Sequence, residues 1–151
     1  MFKAKISVFG GRDISDEIYA ETVELGRLMA NENWLVFCGG AKGVMEAIAK
    51  GVKEKNGTCI GILKGTDPKE GNGYITIPVA TGIGLARNAL LAYNCDVAVA
   101  VSGHYGTLSE IAYALQTEKP VVGFKTWPMD EITVAESPLD VITKVKTLLT
   151  K

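Results

Sequence analysis

Asp96-Val97-Ala98-Val99-Ala100-Val101-Ser102-Gly103-His104-Tyr105-Gly106-Thr107-Leu108-Ser109-Glu110-Ile111-Ala112-Tyr113-Ala114-Leu115 is the stretch whose reading decides the fold. Val97 to Val101 is an unbroken run of Val and Ala, the pattern of a strand buried on both faces of a parallel sheet. Ser102 to Thr107 turns the chain, and Leu108, Ile111, Ala112 and Leu115 then recur at helical spacing. A buried strand therefore runs through a glycine turn into a helix. Glycine permits close backbone approach to a ligand, and the free N–H groups and positive dipole end of a new helix favour an anion, most often phosphate. Glu110 is expected inside the first helical turn, either as a carboxylate beside that anion or as a partner of the helix dipole.

Outward from this stretch the same unit repeats in both directions. Lys5 to Phe9 reads as a strand stopping at Gly10-Gly11, followed by a helix from Asp13 or Ser15 to about Ala30 with Ile18, Thr22, Leu25 and Met29 on one face. Trp34 to Phe37 is a second buried strand, broken by Gly39-Gly40-Ala41-Lys42-Gly43. The next helix turns Val44, Met45, Ile48 and Val52 inward and stops at Asn56-Gly57. Thr58 to Leu63 is the third strand, and right-handed crossovers order these strands third, second, first.

Lys64 to Gly73 reads as a surface loop without a helix, and Tyr74 to Val79, which contains Pro78, as an edge strand beside the third. A helix from about Leu85 to Tyr93 then returns the chain so that the Val97 strand pairs beside the first. That reversal is a topological switch point with a crevice at the carboxyl ends of the strands, into which the three glycine turns are expected to open. Pro120 to Phe124 and Ile132 to Ala135 read as further strands. Ser137-Pro138 opens a last helix with Val141, Ile142, Val145 and Leu148 facing in. The fold class is α/β: a three-layer, Rossmann-like, doubly wound, mostly parallel sheet with helices on both faces, in a single domain spanning the 151 residues.

Lys and Arg number 16 against 17 Asp and Glu, and no basic arm or charge block occurs, so neither nucleic acid nor an acidic membrane is expected as a main partner. Cys38, Cys59 and Cys95 are too widely spaced for a metal clip and read as buried thiols; no metal site is expected. The beginning of the sequence lacks the apolar core of a signal peptide, and no apolar run approaches membrane-spanning length, so the expected location is the cytoplasm.

Gly10-Gly11-Arg12-Asp13 does not follow the dinucleotide pattern Gly-x-Gly-x-x-Gly, and no acidic residue ends the second strand to hold a ribose, which argues against a nicotinamide or flavin enzyme. The triphosphate-binding pattern Gly-x-x-x-x-Gly-Lys-Ser/Thr is also missing. What remains is a pocket for a smaller phosphate-bearing ligand, with Gly10, Gly11, Gly39, Gly40, Gly43, Ser102, Gly103, His104, Tyr105 and Gly106 in its turns and Lys42 and Thr107 positioning the ligand. Arg87 reads either as a two-point grip on phosphate or carboxylate, or as a solvated helix residue. His104 reads as an anion donor or an exposed turn residue. Cys38 has no histidine at a convincing offset, Ser102 lacks a nucleophile elbow, and Asp96 reads as a structural cap or pair.

Arg87-Asn88, Asp96 before its strand, and Ser102-Gly103-His104-Tyr105-Gly106-Thr107-Leu108-Ser109-Glu110 together resemble the Lonely Guy family, often mislabelled as lysine decarboxylases. That family carries an Arg-Lys pair, an Asp before a buried strand, and Pro-Gly-Gly-x-Gly-Thr-x-x-Glu. Gly39-Gly40-Ala41-Lys42-Gly43-Val44-Met45 resembles its Gly-Gly-Gly-x-x-Gly-Leu-Met turn, and Gly82 to Asn88 is more similar to its smaller relatives, the molybdenum cofactor carrier-like proteins. The likeness spans roughly Ile6 to Phe124.

The resemblance implies a pocket in which Gly106 and Thr107 hold a 5'-phosphate, with an AMP-like nucleotide or molybdenum cofactor as ligand and no cofactor required. In the hydrolase branch the positions of Arg87 and Glu110 are catalytic and serve cleavage between base and ribose 5-phosphate; a homodimer is also implied. Ser102 replaces the family's proline, His104 its second glycine and Asn88 its lysine. Two functions follow as expectations: a binding module for a phosphorylated nucleotide-like ligand, and a nucleoside 5'-monophosphate phosphoribohydrolase.

Overall fold

The computed structural model describes residues 1–151. Seven strands, β1 (Ala4–Gly10), β2 (Trp34–Cys38), β3 (Cys59–Leu63), β4 (Ile77–Ala80), β5 (Val97–Val101), β6 (Val121–Phe124) and β7 (Thr133–Ala135), form one sheet in the order β4-β3-β2-β1-β5-β6-β7. Every neighbouring pair is parallel. Five helices, α1 (Asp16–Asn31), α2 (Val44–Glu54), α3 (Arg87–Tyr93), α4 (Tyr105–Gln116) and α5 (Pro138–Leu149), complete the doubly wound α/β architecture that the glycine-punctuated strands imply. No helix is long and apolar enough to cross a membrane.

Strand periodicity divides the core in two. In β5, Val97, Val99 and Val101 face the cluster that holds Leu25, Met29, Ile48, Val52, Val141 and Val145 of α1, α2 and α5. Ala98 and Ala100 face the smaller cluster under α3 and α4, with Phe9, Leu91, Ile111 and Ala114. Alanines on that side let two helices sit close to the strand. The buried Ser7 hydroxyl donates to the Leu91 carbonyl at 2.6 Å, which satisfies a polar group that would otherwise be costly between sheet and helix.

The helix signals of the sequence hold at α1 and α5. Ser15 caps α1 by accepting from the Ile18 N–H, and Ser137 caps α5 by accepting from Asp140, with Pro138 in the first turn. Asp96 is structural: its carboxylate accepts from the Lys5 N–H at 2.8 Å while its own N–H donates to the Lys5 carbonyl, fastening β5 to β1. Three boundaries differ from the sequence expectation. A 3₁₀ turn occupies Pro68–Glu70 in the loop read as having no helix, because Asp67 caps it by accepting from the Lys69 N–H. Residues 84–86 form a 3₁₀ turn, so α3 proper begins at Arg87. The edge strand starts at Ile77 rather than Tyr74, the Asn72 side chain having bent the chain by accepting from the Tyr74 N–H.

α1 and α2 cross at two glycines. A Cβ on Gly51 would meet the Val23 carbonyl oxygen, and one on Gly26 would lie 2.5 Å from the Ile48 carbonyl oxygen. Both obstacles are backbone and neither can rotate away. Gly51→Val is therefore expected to force the helices apart and cost about 1–3 kcal/mol or more, read as a lowered urea midpoint with an unchanged m-value.

Candidate functional site

β1 and β5 end level, Gly10 opposite Val101. Beyond them the two chains nearly touch: a Cβ on Gly11 would lie 3.2 Å from the Gly103 Cα. Ser102 takes a left-handed φ of 51° and Gly103 a φ of 102°, where a side chain would also run into Thr107. This strained pair turns the strand directly into α4. The loop after β6 holds it in place: Thr126 Oγ1 donates to the Ser102 carbonyl at 2.6 Å, and Trp127 Nε1 donates to the His104 carbonyl at 2.9 Å. With those carbonyls engaged, the backbone N–H groups of Gly103, His104, Tyr105, Gly106 and Thr107 find no acceptor in the protein. Together with the N-terminal end of α4 they form a concave donor surface of the kind that takes an anion.

That surface is one wall of a cavity of about 430 Å³ at the switch point. Gly10, Gly11, Ser102, Gly103, His104, Gly106, Thr107, Arg87 and Glu110 all line it. Gly39, Gly40, Lys42, Gly43 and Tyr105 do not line it. The turn after β2 instead supports the site: the Gly39 carbonyl accepts from Arg87, and a Cβ on Gly43 would strike the Gly11 and Arg12 carbonyls. Lys42 points to solvent, while Tyr105 is 76% exposed and packs at an angle on His104 and Trp127.

Arg12, Asp13, Lys64, Asn88, Leu85, Met45 and Val8 complete the lining, and the sequence did not mark them as ligand-contacting residues. Arg12, Asp13 and Lys64 follow the ends of β1 and β3, so position just past a strand terminus was the available signal. Thr126 and Trp127, which hold the turn, carry no local signal.

Arg87 is only 5% exposed and is clamped rather than free. Its NH1 donates to the carbonyls of Gly39 and Ile62, both at 2.6 Å, and its Nε to Asn88 Oδ1 at 2.7 Å. Asn88 Nδ2 donates in turn to Ser109 Oγ at 3.3 Å, and Ser109 to the Gly106 carbonyl at 2.7 Å. A continuous chain of hydrogen bonds thus joins the ends of β2 and β3 to the first turn of α4. Burial pulls the guanidinium below its usual range, opposed by Glu110.

Glu110 stands in the second turn of α4, not the first, because the helix already begins at Tyr105. It is 7% exposed and makes no hydrogen bond or ion pair with the protein, although no side-chain polar atom is sealed away without a partner, so its carboxyl oxygens open on the cavity. Burial pushes its carboxyl up to about 8, with Arg87 opposing. Cys38, Cys59 and Cys95 are free buried thiols outside the cavity lining; Cys38 donates to the Met45 carbonyl at 3.6 Å and lies 3.7 Å from Cys59.

The order of the strands and the crevice above β1 and β5 define a Rossmann-type protein of the Lonely Guy and molybdenum cofactor carrier-like class. Within it the chain belongs to the SLOG cluster4 family, whose model matches residues 3–148. The molybdenum cofactor binding protein of the phototrophic bacterium Rippkaea orientalis is 31% identical, with a TM-score of 0.92 over 99% of each chain. The molybdenum cofactor carrier protein of Chlamydomonas reinhardtii is 37% identical, with a TM-score of 0.90 over 99% of this chain and 100% of that one. A protein of Oryza sativa subsp. japonica named as a probable cytokinin riboside 5'-monophosphate phosphoribohydrolase is 38% identical over 93 residues, 59% of this chain and 40% of that protein.

The raised Glu110 carboxyl has a sign for stability. Between the ordinary value of 4.5 and about 8 the folded chain holds a proton that the unfolded chain has lost. Its contribution is fully present below the lower value and is lost as pH rises through the upper one, by at most about 1.4 kcal/mol per pH unit. Glu110→Gln is expected to flatten this dependence and to raise the melting temperature relative to the parent at pH 8 more than at pH 5, in paired thermal melts.

Proposed function

We propose that this chain binds a small phosphate monoester carrying a ring system, an AMP-like nucleotide or molybdenum cofactor, and holds it without turnover. The observation that carries this is the run of five backbone N–H groups without protein acceptors at the start of α4, four of them on residues that line a cavity large enough for such a ligand. The phosphate sits at Gly106 and Thr107, with Arg12 and Lys64 supplying positive charge along the same cavity. The two molybdenum cofactor proteins, alike over nearly their whole length, support the ligand class. A net charge of -1 supports a small molecule rather than a nucleic acid strand as partner.

The clamped Arg87 and the elevated Glu110 favour holding over cleavage. Cleavage between base and sugar develops positive charge on the sugar and needs an ionised carboxylate beside it. Burial raises the Glu110 carboxyl to about 8, which favours its neutral form near pH 7, and two of the Arg87 nitrogens are spent on carbonyls and Asn88. The second reading, a nucleoside 5'-monophosphate phosphoribohydrolase with Arg87 and Glu110 as its catalytic pair, is favoured by their shared cavity and by the rice relative.

Exposed apolar side chains at Ile77, Val79, Ile83 and Leu85 support a homodimer, and the unpaired cysteines support a reducing, cytoplasmic setting. Light scattering is expected to give about twice the 16.1 kDa chain mass.

Calorimetric titration with AMP and with inorganic phosphate tests the site. A Cβ at Gly106 meets only Asn88 Nδ2, at 4.0 Å, so Gly106→Asp fits without strain and places a carboxylate in the cradle. The variant is expected to keep or gain thermal stability, an acid in the first helical turn being favourable, while losing about tenfold or more in affinity for both probes. Unchanged affinity would count against the site. Release of free base from AMP that disappears in Glu110→Gln would replace the binding reading with the hydrolase.

A further inference from the structure

Glu110 is a buried acid that the protein itself leaves without a hydrogen-bond partner. The charged and titratable groups around it come from every element that walls the cavity: Arg87 of α3, Arg12 and Asp13 after β1, Lys64 after β3, and His104 before α4. Cys38 of β2, behind the wall, also feels its charge. None of them donates to its carboxyl, and Arg87 directs its Nε and NH1 to Asn88, Gly39 and Ile62 instead. A carboxylate this deeply buried, with no donor from the protein, is disfavoured against the neutral acid. The neutral acid has the opposite need: its O–H is a donor, and it opens on the cavity.

The geometry points to Glu110 as a hydrogen-bond donor to the ring portion of the ligand, which must therefore carry an acceptor atom, a ring oxygen, ring nitrogen or carbonyl, deep in the cavity below its phosphate. This rests on the phosphate being seated at the start of α4, as proposed above. Gly106 and Glu110 are four residues apart, about 6 Å along the helix, and helical side chains lean back toward the N-terminus, so the carboxyl reaches a ring attached near the ester. A free phosphate ion fills the cradle without reaching Glu110. Binding of the ring-bearing ester is consequently linked to a proton: the acid form receives the ligand, and ionisation places a negative charge against the acceptor's lone pair. Burial, which raises this carboxyl toward 8, sets the pH at which the loss begins.

Titration calorimetry of AMP and inorganic phosphate across about pH 7.5 to 9.5 reads the effect. AMP affinity is expected to fall by up to about tenfold per pH unit above 8 in the parent, with the phosphate ion nearly level. In Glu110→Gln, whose amide still donates, the AMP dependence is expected to vanish. A second measurement needs no variant: at about pH 9, AMP binding compared in two buffers of different ionisation enthalpy should take up nearly one proton per ligand, and the phosphate ion none. AMP binding without proton uptake, or a pH slope retained in Glu110→Gln, removes this role for Glu110 while leaving the phosphate site standing. Failure of both probes to bind at any pH overturns the proposed function, and the donor role with it.

Discussion

The site depends on where the carbonyl groups of one turn are tied. Ser102 and His104 give their carbonyl oxygens to Thr126 and Trp127, and the N–H groups of the same two peptide units, those of Gly103 and Tyr105, keep no acceptor in the protein. The left-handed φ of Ser102 is the strain accepted for this arrangement. The fastening exists only because β6 pairs beside β5, which brings the loop that follows it against the start of α4. Sheet order, loop contact and the row of free amides are thus one dependency, running from topology to a chemical surface.

Arg87 performs the corresponding task on the other side of the cavity. Its guanidinium joins the Gly39 carbonyl just past β2 to the Ile62 carbonyl of β3, and through Asn88 and Ser109 it reaches the first turn of α4. Asn88 stands where the Lonely Guy pattern has lysine; it accepts from Arg87 and donates to Ser109, which a lysine, having donors only, does not do. The substitution that reads in sequence as a departure becomes in space a connector. It leaves Arg87 held among neutral partners, Asn88 and two backbone carbonyls.

Much of the fold was legible because its signals are local. The Val and Ala alternation of β5, the Ser15 and Ser137 caps and the glycine breaks after β1, β2 and β5 each act within a few residues, and each element appears where those residues place it. The boundaries that moved did so through side chains acting on nearby backbone: Asp67 capping a short turn and Asn72 bending the chain before β4. Gly10, Gly11, Gly103, Gly106, Thr107, Arg87 and Glu110 share one cavity. Gly39, Gly40, Gly43 and Lys42 followed the same glycine logic, yet their turn lies against the site as a support. A glycine demanded by close packing and one demanded by a ligand look alike in a sequence.

The sequence by itself determined a doubly wound parallel sheet with a glycine turn opening into a helix at its switch point, since apolar periodicity, caps and turns are set by residues near one another in the chain. Which glycine turns line the cavity, that Arg87 is clamped, and that Glu110 is buried without a protein partner are set by the tertiary structure. Those properties are made by groups far apart in the chain: Gly39 and Ile62 on Arg87, Thr126 and Trp127 on the turn, and the packing that buries most of Glu110. Burial and hydrogen-bond partnership are collective, and they arise only when distant segments meet.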